Sequence, residues 1–153
     1  MNPIDASLVH ALQLDSSRSI ADLAERLGLS SSACHRRMRA LTDAGVIVGY
    51  QARIDPKQLG LNLHAFVEIT LNSQSRDAME RFENAVGTFE DILECHLMSG
   101  AADYLLRVAA SDLDHFDHIH RNCLSRLPGV SSMRSSFAIR QIKQMAPYRA
   151  AVT

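Results

Sequence analysis

The sequence has only three cysteines, Cys34, Cys95 and Cys123. An odd number at such wide spacing excludes a disulfide framework and a paired-cysteine zinc motif. Because free thiols persist in a reducing compartment, we expect a cytoplasmic protein.

Long apolar runs are also missing. No stretch reaches the roughly 18 apolar residues of a membrane span, and the acidic start lacks the basic region and apolar core of a signal peptide. We therefore expect no membrane partner. The 153 residues are 46% hydrophobic and 22% charged, which excludes global disorder and is enough for a core. The length fits one average domain or two small ones.

Neither sign of charge dominates the chain. The formal net charge is −1, which argues against a protein that simply coats nucleic acid. The bases are nevertheless uneven, because three of the five in the first fifty residues lie within 36–39, with no acid between Glu25 and Asp43. From residue 62 onward, the chain has nine basic and eleven acidic residues. The chain is therefore a mildly acidic body with one concentrated basic segment.

The first fifty residues predict helices only. Apolar residues recur there at helical spacing in three stretches. Ser19 and Ser30 are typical of helix starts, whereas Gly28 and Gly45 are typical of helix ends. The sequence therefore predicts three short helices in this part of the chain.

The remainder alternates strands and helices. A strand-like stretch at 46–54 is followed by a connection that ends at residue 64. We then expect a strand at 65–71, a helix at 76–86, strands at 92–98 and 104–109, a helix at 113–127 and a strand at 132–142. This βαββαβ order is that of the ferredoxin-like arrangement, so the predicted fold class is α+β.

Two of the predicted strands, 92–98 and 104–109, are apolar on much of both faces. The helices of a ferredoxin-like fold cover one face of the sheet, so the other face needs a separate partner. A second copy of the chain is the simplest one, because an exposed apolar patch of that size would promote aggregation. The pattern therefore predicts at least a homodimer.

The segment from Ile20 to Arg39 has the layout of a helix-turn-helix. Ala24 is small where the two helices cross, and Gly28 supplies the positive φ of the turn. The second helix presents hydroxyls and bases that suit the major groove and the phosphates of double-stranded DNA. The candidate DNA-binding residues are Ser31, Ser32, His35, Arg36 and Arg39, with Arg37 placed between the two helix faces and towards a phosphate.

A solvated basic face of an ordinary three-helix bundle is the alternative interpretation. The strand predicted after Gly45 favours DNA binding, because winged helix-turn-helix domains add a β element there. The predicted organisation is a DNA-binding domain at 1–50, a linker strand and connection at 51–64, a ferredoxin-like domain at 65–146 and a tail at 147–153.

Three stretches of the first half, SIADLAERLGLS at 19–30, CHRRMRAL at 34–41 and AGVIVGY at 44–50, resemble the Lrp/AsnC family of transcription regulators. The resemblance continues through the second half, at FVEITL (66–71), ECHLMSG (94–100), DYLL (103–106), LPGV (127–130), Ser136-Phe137 and Lys143, which would close the last strand. It implies a DNA-binding first half and a ligand-sensing second half. It also implies dimers that often assemble into octamers.

The resemblance further implies an effector pocket, usually for an amino acid, between neighbouring sensing domains. Amides near Gly100 would hold a carboxylate and Asp103 an ammonium group. The alternatives are a hairpin-capping role for Asp103 and a positive φ at Gly100. Many members carry an acidic or polar residue where this chain has Ala101, which argues against a leucine-type or asparagine-type effector and leaves a different amino acid, or no effector, as alternatives. The implied pocket residues are Leu97, Gly100, Asp103, Ser136, Phe137 and Ala138.

Two other functions receive little support. His115 and His118 share a helix face with each other but not with His120, so a metal site is not predicted and these histidines fit a solvated face. The sequence has no nucleophile elbow and no phosphate-binding glycine loop. We expect no enzyme and no cofactor, although an amino-acid-binding module or an enzyme on a ferredoxin-like scaffold is the alternative function.

Overall fold

Three capped helices begin the chain in the computed structural model, which describes residues 1–150. Helix α1 spans Pro3–Leu14, α2 spans Ile20–Leu27 and α3 spans Ser31–Asp43. The side chains of Ser19 and Ser30 accept hydrogen bonds from the backbone N–H groups of Asp22 and Ala33, as N-caps do. Both predicted caps are confirmed.

The turn between α2 and α3 depends on Gly28, which has φ +65°. Its N–H donates to the carbonyls of Ala24 and Glu25 and closes α2. Apolar residues of all three helices meet behind the turn. Those buried are Leu8, Ala11, Leu12, Leu23, Ala24, Cys34 and Leu41. Burial raises the pKa of the Cys34 thiol, which therefore stays protonated and packs as a small apolar group.

The strand predicted at 46–54 does not form. These residues have no regular structure, and the Val48 side chain is 95% exposed. A strand requires hydrogen-bonding partners on a neighbouring strand, and β-branched residues do not replace them. Within residues 1–150, no strand lies beside this segment. The expected wing is therefore absent from residues 1–150 of a single copy.

The rest of the chain forms a four-stranded antiparallel sheet with two helices. The elements are β1 (Leu63–Leu71), α4 (Arg76–Val86), β2 (Ile92–Leu97), β3 (Tyr104–Ala110), α5 (Leu113–Asn122) and β4 (Val130–Phe137). The strand order β2-β3-β1-β4 confirms the predicted βαββαβ arrangement. Helix α5 ends earlier than predicted because a short 3-10 helix at Leu124–Arg126 follows it.

The last strand is also shorter than predicted. Strand β4 ends at Phe137, and the Ala138 N–H donates to the His64 carbonyl at 2.9 Å. Strand β1, the neighbour of β4, begins only at Leu63. Residues after Ala138 lie beyond the start of β1, where no neighbouring strand is found within residues 1–150. Lys143 therefore does not close the strand.

One face of the sheet packs against α4 and α5. Val67 and Leu106 are fully buried there, together with Phe82 from α4 and Ile119 from α5. Alternate residues of each strand point to this face, which produces the observed two-residue period of burial in β1. This face is the main core of the sheet unit.

The second face is more polar than the sequence suggested. Arg107 Nη2 lies 2.5 Å from Glu94 Oε1, and Arg134 Nε lies 2.6 Å from Glu68 Oε2. The hydrogen bond from Arg107 lowers the pKa of Glu94. Phe66 lies on the same face and is 38% exposed. The expectation of apolar character on much of both faces was therefore wrong in part, because charged pairs cross the strands there.

The chain forms two compact units. Residues 1–53 and the segment from Ile142 make one, and residues 54–141 make the other. The domain boundaries inferred from the sequence stay predictions. Within residues 1–150, no helix is long and apolar enough to cross a membrane.

Candidate DNA-binding and effector sites

Helix α3 exposes one row of polar side chains. Its buried stripe is Cys34 and Leu41, so the opposite face is open to solvent. The predicted residues found on that exposed face are Ser31, Ser32, His35, Arg36 and Arg39. No acid lies in the first turn of α3, so nothing there offsets the positive end of the helix dipole. An anion such as a DNA phosphate would therefore be favoured at this end.

Arg37 differs from its neighbours. Its Nη1 lies 2.8 Å from Asp5 Oδ1, and both side chains are partly buried. The pair joins α3 to α1. Arg39 Nε lies 3.9 Å from Asp43 in a well-exposed pair, which contributes little. Among residues 1–150, Arg36 has no acidic partner, so its guanidinium is fully available to a ligand.

The predicted effector residues lie at opposite edges of the sheet. Leu97 ends β2, and Gly100 follows in the β2–β3 connection. Ser136, Phe137 and Ala138 lie at the end of β4. Three strand spacings of about 4.8 Å, or roughly 14 Å, separate these edges. One copy of the chain does not bring the two groups together, so a site containing both needs a second copy.

Asp103 has a structural role within its own chain. Its Oδ2 accepts a hydrogen bond from the Leu71 N–H at 2.7 Å, and its Oδ1 accepts one from Gln74 Nε2 at 2.7 Å. The Asp103 N–H donates to the Ile69 carbonyl at 2.8 Å. These contacts hold the β2–β3 connection against the end of β1. They favour the capping alternative, and sequence reasoning missed Gln74 because it lies 29 residues away.

Gly100 does not have the positive φ that one alternative required. The left-handed glycines among the described residues are Gly28, Gly45, Gly60 and Gly129. Gly100 is exposed, and a Cβ built on it would meet nothing within 4 Å. The backbone there is accessible to a ligand or to another copy of the chain.

Tyr104, at the start of β3, was not anticipated as part of this region. Its hydroxyl donates to Glu83 Oε1 at 2.7 Å, and its ring centroid lies 4.5 Å from that of Phe82. Burial and the nearby carboxylate raise the pKa of the Tyr104 phenol. The residue fixes α4 against the strand that follows the Gly100–Asp103 connection.

Comparison with known proteins decides the family. Residues 1–42 match the AsnC-type helix-turn-helix domain, and residues 64–148 match the Lrp/AsnC ligand binding domain. The chain belongs to the Lrp/AsnC family.

Individual Lrp/AsnC proteins match over nearly the whole chain. The leucine-responsive regulatory protein of Escherichia coli K12 is 40% identical over 144 residues, which cover 94% of this chain and 88% of that protein. A transcriptional regulator from Neisseria meningitidis in complex with L-methionine has a TM-score of 0.90 at 31% identity, covering 97% and 96% of the two chains. The feast or famine regulatory protein of M. tuberculosis complexed with L-methionine has a TM-score of 0.83 at 31% identity, covering 96% and 97%.

These matches establish the class of function. The chain is a helix-turn-helix DNA-binding regulator with a ligand-binding domain, and the predicted α+β fold is confirmed. Its relatives are transcription regulators, which sets the enzyme alternative aside.

Two histidines of α5, His115 and His118, make local contacts in this Lrp/AsnC chain. His115 Nδ1 accepts from the Ser111 N–H at 3.1 Å, and the Asn122 side chain contacts the His118 ring at 3.2 Å. In the part of the chain that the structure describes, no three potential metal ligands converge.

Proposed function

We propose that this Lrp/AsnC chain recognises an operator by placing α3 in the major groove. The exposed basic row of α3, with Arg36 free of any acid among residues 1–150, carries this proposal. Arg36 and Arg39 would read guanine edges, since arginine donates two hydrogen bonds to that base. Ser31, Ser32 and His35, with the first-turn amides, would contact phosphates.

Arg37 would serve DNA binding in two ways. One of its nitrogens holds Asp5 and so fixes α3 on α1. A guanidinium has five N–H donors, so others stay free for a backbone phosphate. This role is mainly one of orientation, in contrast to the direct contact that we assign to Arg36.

The effector would be an α-amino acid held between two sensing domains. Two solved relatives were obtained with L-methionine, and the candidate residues of this chain lie on two sheet edges that one copy does not join. Exposed amides at Gly100 would hold the carboxylate, while Leu97 and Phe137 would contact the side chain. Asp103 would position the connection and offer its remaining lone pairs to the ammonium group.

Assembly follows from the same geometry. We propose a homodimer at minimum, with octamers built from dimers. Two paired recognition helices would then contact half-sites about 34 Å apart. Val46 and Ile47 donate to the Leu41 carbonyl, but within residues 1–150 no backbone hydrogen bond of the exposed stretch 48–54 is found, which leaves its backbone groups available to a second copy.

The direct test measures the affinity of the full chain for the DNA upstream of its own gene. Fluorescence anisotropy at one stated salt concentration would be repeated with each of the twenty amino acids. We expect at least one of them to change the dissociation constant by about 5–150-fold, the usual range of allosteric coupling. DNA binding that no amino acid alters would contradict the effector proposal and leave a ligand-independent regulator.

A further inference from the structure

The C-terminal segment, residues 142–150, is anchored by one glutamine. It has no helix or strand, yet it belongs to the unit formed by residues 1–53. Gln13 Nε2 donates to the Tyr148 carbonyl at 3.1 Å, and the Tyr148 N–H donates to Gln13 Oε1 at 2.8 Å. A single side-chain amide thus satisfies both backbone groups of Tyr148, as a neighbouring strand would.

Other contacts extend along the same segment. Arg53 Nη2 donates to Gln144 Oε1 at 2.6 Å. At the other end, Tyr148 and Arg149 line a surface cleft together with His10 of α1 and Arg26 of α2. The segment is therefore docked at several points along its length.

The docking position matters for DNA recognition. Gln13 lies on α1, which buries Leu8 and Leu12 in the core of the helix-turn-helix unit. The same helix carries Asp5, the partner of Arg37 on α3. The segment is thus bound to the helix that supports the recognition helix.

A short connection links this segment to the sheet. The last sheet hydrogen bond is donated by Ala138 to His64, so only residues 139–141 precede Ile142. The first hydrogen bond of the segment to residues 1–53 is at Gln144, so residues 139–143 are the connection, and they span at most about 18 Å when fully extended. The other crossing between the two units, residues 54–62, is longer and contains a 3-10 helix at Pro56–Leu59. The end of β4 is therefore tied to the docked segment by the shorter of the two connections between the units.

The segment also changes the charge of the DNA-binding unit. Residues 1–53 contain six arginines and five acids, a net charge of +1. Lys143 and Arg149, with no acid after residue 141, raise it to +3. Positive charge on the unit that carries the recognition helix strengthens association with DNA phosphates.

We propose that residues 142–150 form a strap between the two units. Through this strap, the sensing unit (residues 54–141) sets the DNA affinity of the helix-turn-helix unit (residues 1–53). The docked strap favours DNA binding, and release of the strap from Gln13 weakens it. The link to regulation rests on the proposed function, since Ser136 and Phe137 at the end of β4 are among the effector residues. An effector that moves this end of β4 would pull on the strap.

The test compares full-length wild type with Gln13→Ala. Gln58→Ala is the matched control, because no side-chain hydrogen bond of this exposed residue is found within residues 1–150. We expect Gln13→Ala to speed amide hydrogen exchange in residues 142–150 at least about tenfold, with β4 unchanged. Its ligand-free DNA affinity should fall at least threefold, while Gln58→Ala should match wild type. Gln13→Glu, which keeps the acceptor for the Tyr148 N–H, should fall between.

If Gln13→Ala left amide hydrogen exchange at Tyr148 unchanged, or kept DNA affinity within twofold of wild type, the strap proposal would be overturned. Loss of protection throughout α2 and α3 in both Gln13 variants would overturn it too, since Gln13 would then serve only the fold. Failure of the proposed function looks different, because wild type would bind DNA and ignore every amino acid. The ligand-free comparison still decides the strap in that case. If an amino acid does change the DNA affinity of wild type, Gln13→Ala should still bind that amino acid with wild-type affinity in calorimetry. The amino acid should, however, lose most of its effect on the DNA affinity of the variant.

Discussion

Adjacent arginines of α3 have different surroundings, which is why we propose different roles for them. Arg37 is partly buried and bound to Asp5, whereas Arg36 is exposed and has no acid beside it among residues 1–150. An ion pair already formed lowers the gain from a new phosphate contact, while an unpaired guanidinium keeps all five donors. The two side chains should therefore respond differently to replacement by alanine.

Arg36→Ala should weaken operator binding without affecting the fold. Loss of one arginine that reads a base costs about 1–3 kcal/mol, or about 5–150-fold in affinity. Thermal unfolding should be unchanged because the side chain is exposed. Arg81→Ala, at an exposed position of α4, is the control and should leave affinity intact. Equal operator affinities for Arg36→Ala and wild type would show that α3 does not read DNA through this residue.

Asp103→Ala should destabilise the sheet unit. The change leaves the N–H of buried Leu71 without its acceptor and frees Gln74. An unsatisfied buried donor costs about 1–3 kcal/mol, which urea unfolding would detect. Glu90→Ala, at an exposed acid before β2, should cost little. If unfolding stability were unchanged while amino-acid affinity was lost, Asp103 would be an effector ligand and not a structural residue.

At the scale of single elements, the α2–α3 turn has the clearest conformational requirement. Gly28 has φ +65°, and a Cβ there would meet no atom within 4 Å. Gly28→Ala therefore costs only the left-handed strain of a non-glycine residue, about 1–2 kcal/mol. Gly49→Ala, at an equally open glycine without a positive φ, should be nearly neutral. The free energy of unfolding measured in urea and the operator affinity should both fall for Gly28→Ala. A variant as stable as wild type would contradict this account.

The sequence predicted correctly those elements that depend on residues close together in the chain. Helix α4 has the predicted bounds because Ser75 caps its start and its apolar residues follow the helical period. The prediction of a strand at 46–54 was wrong, because a strand forms only where a second strand, often distant in the sequence, lies beside it. The exposed face of α3 followed from helical spacing alone. The contacts Asp5–Arg37 and Gln13–Tyr148 did not, because 32 and 135 residues separate the partners.

At the scale of the whole molecule, the second face of the sheet is the surface that we propose for assembly. Charged pairs surround Phe66 on that face. Such a mixture suits an interface, since apolar contacts supply affinity and charged groups fix the register between copies. A homodimer also explains recognition, because one helix contacts only a few base pairs and two helices contact two half-sites.

Phe66→Glu should therefore separate the copies. The new carboxylate would lie opposite Arg107, which already pairs with Glu94. Burial of this added charge at the proposed interface is strongly unfavourable. Light scattering at micromolar concentration should show at least a dimer for wild type and a smaller species for the variant, with operator affinity reduced. Leu113→Glu, at an exposed leucine in the first turn of α5, should keep wild-type assembly. A wild-type monomer at that concentration would refute the dimer. An unchanged oligomer in Phe66→Glu would place the interface on another surface, and segment 46–54, whose backbone lacks strand partners within residues 1–150, would be the next to test.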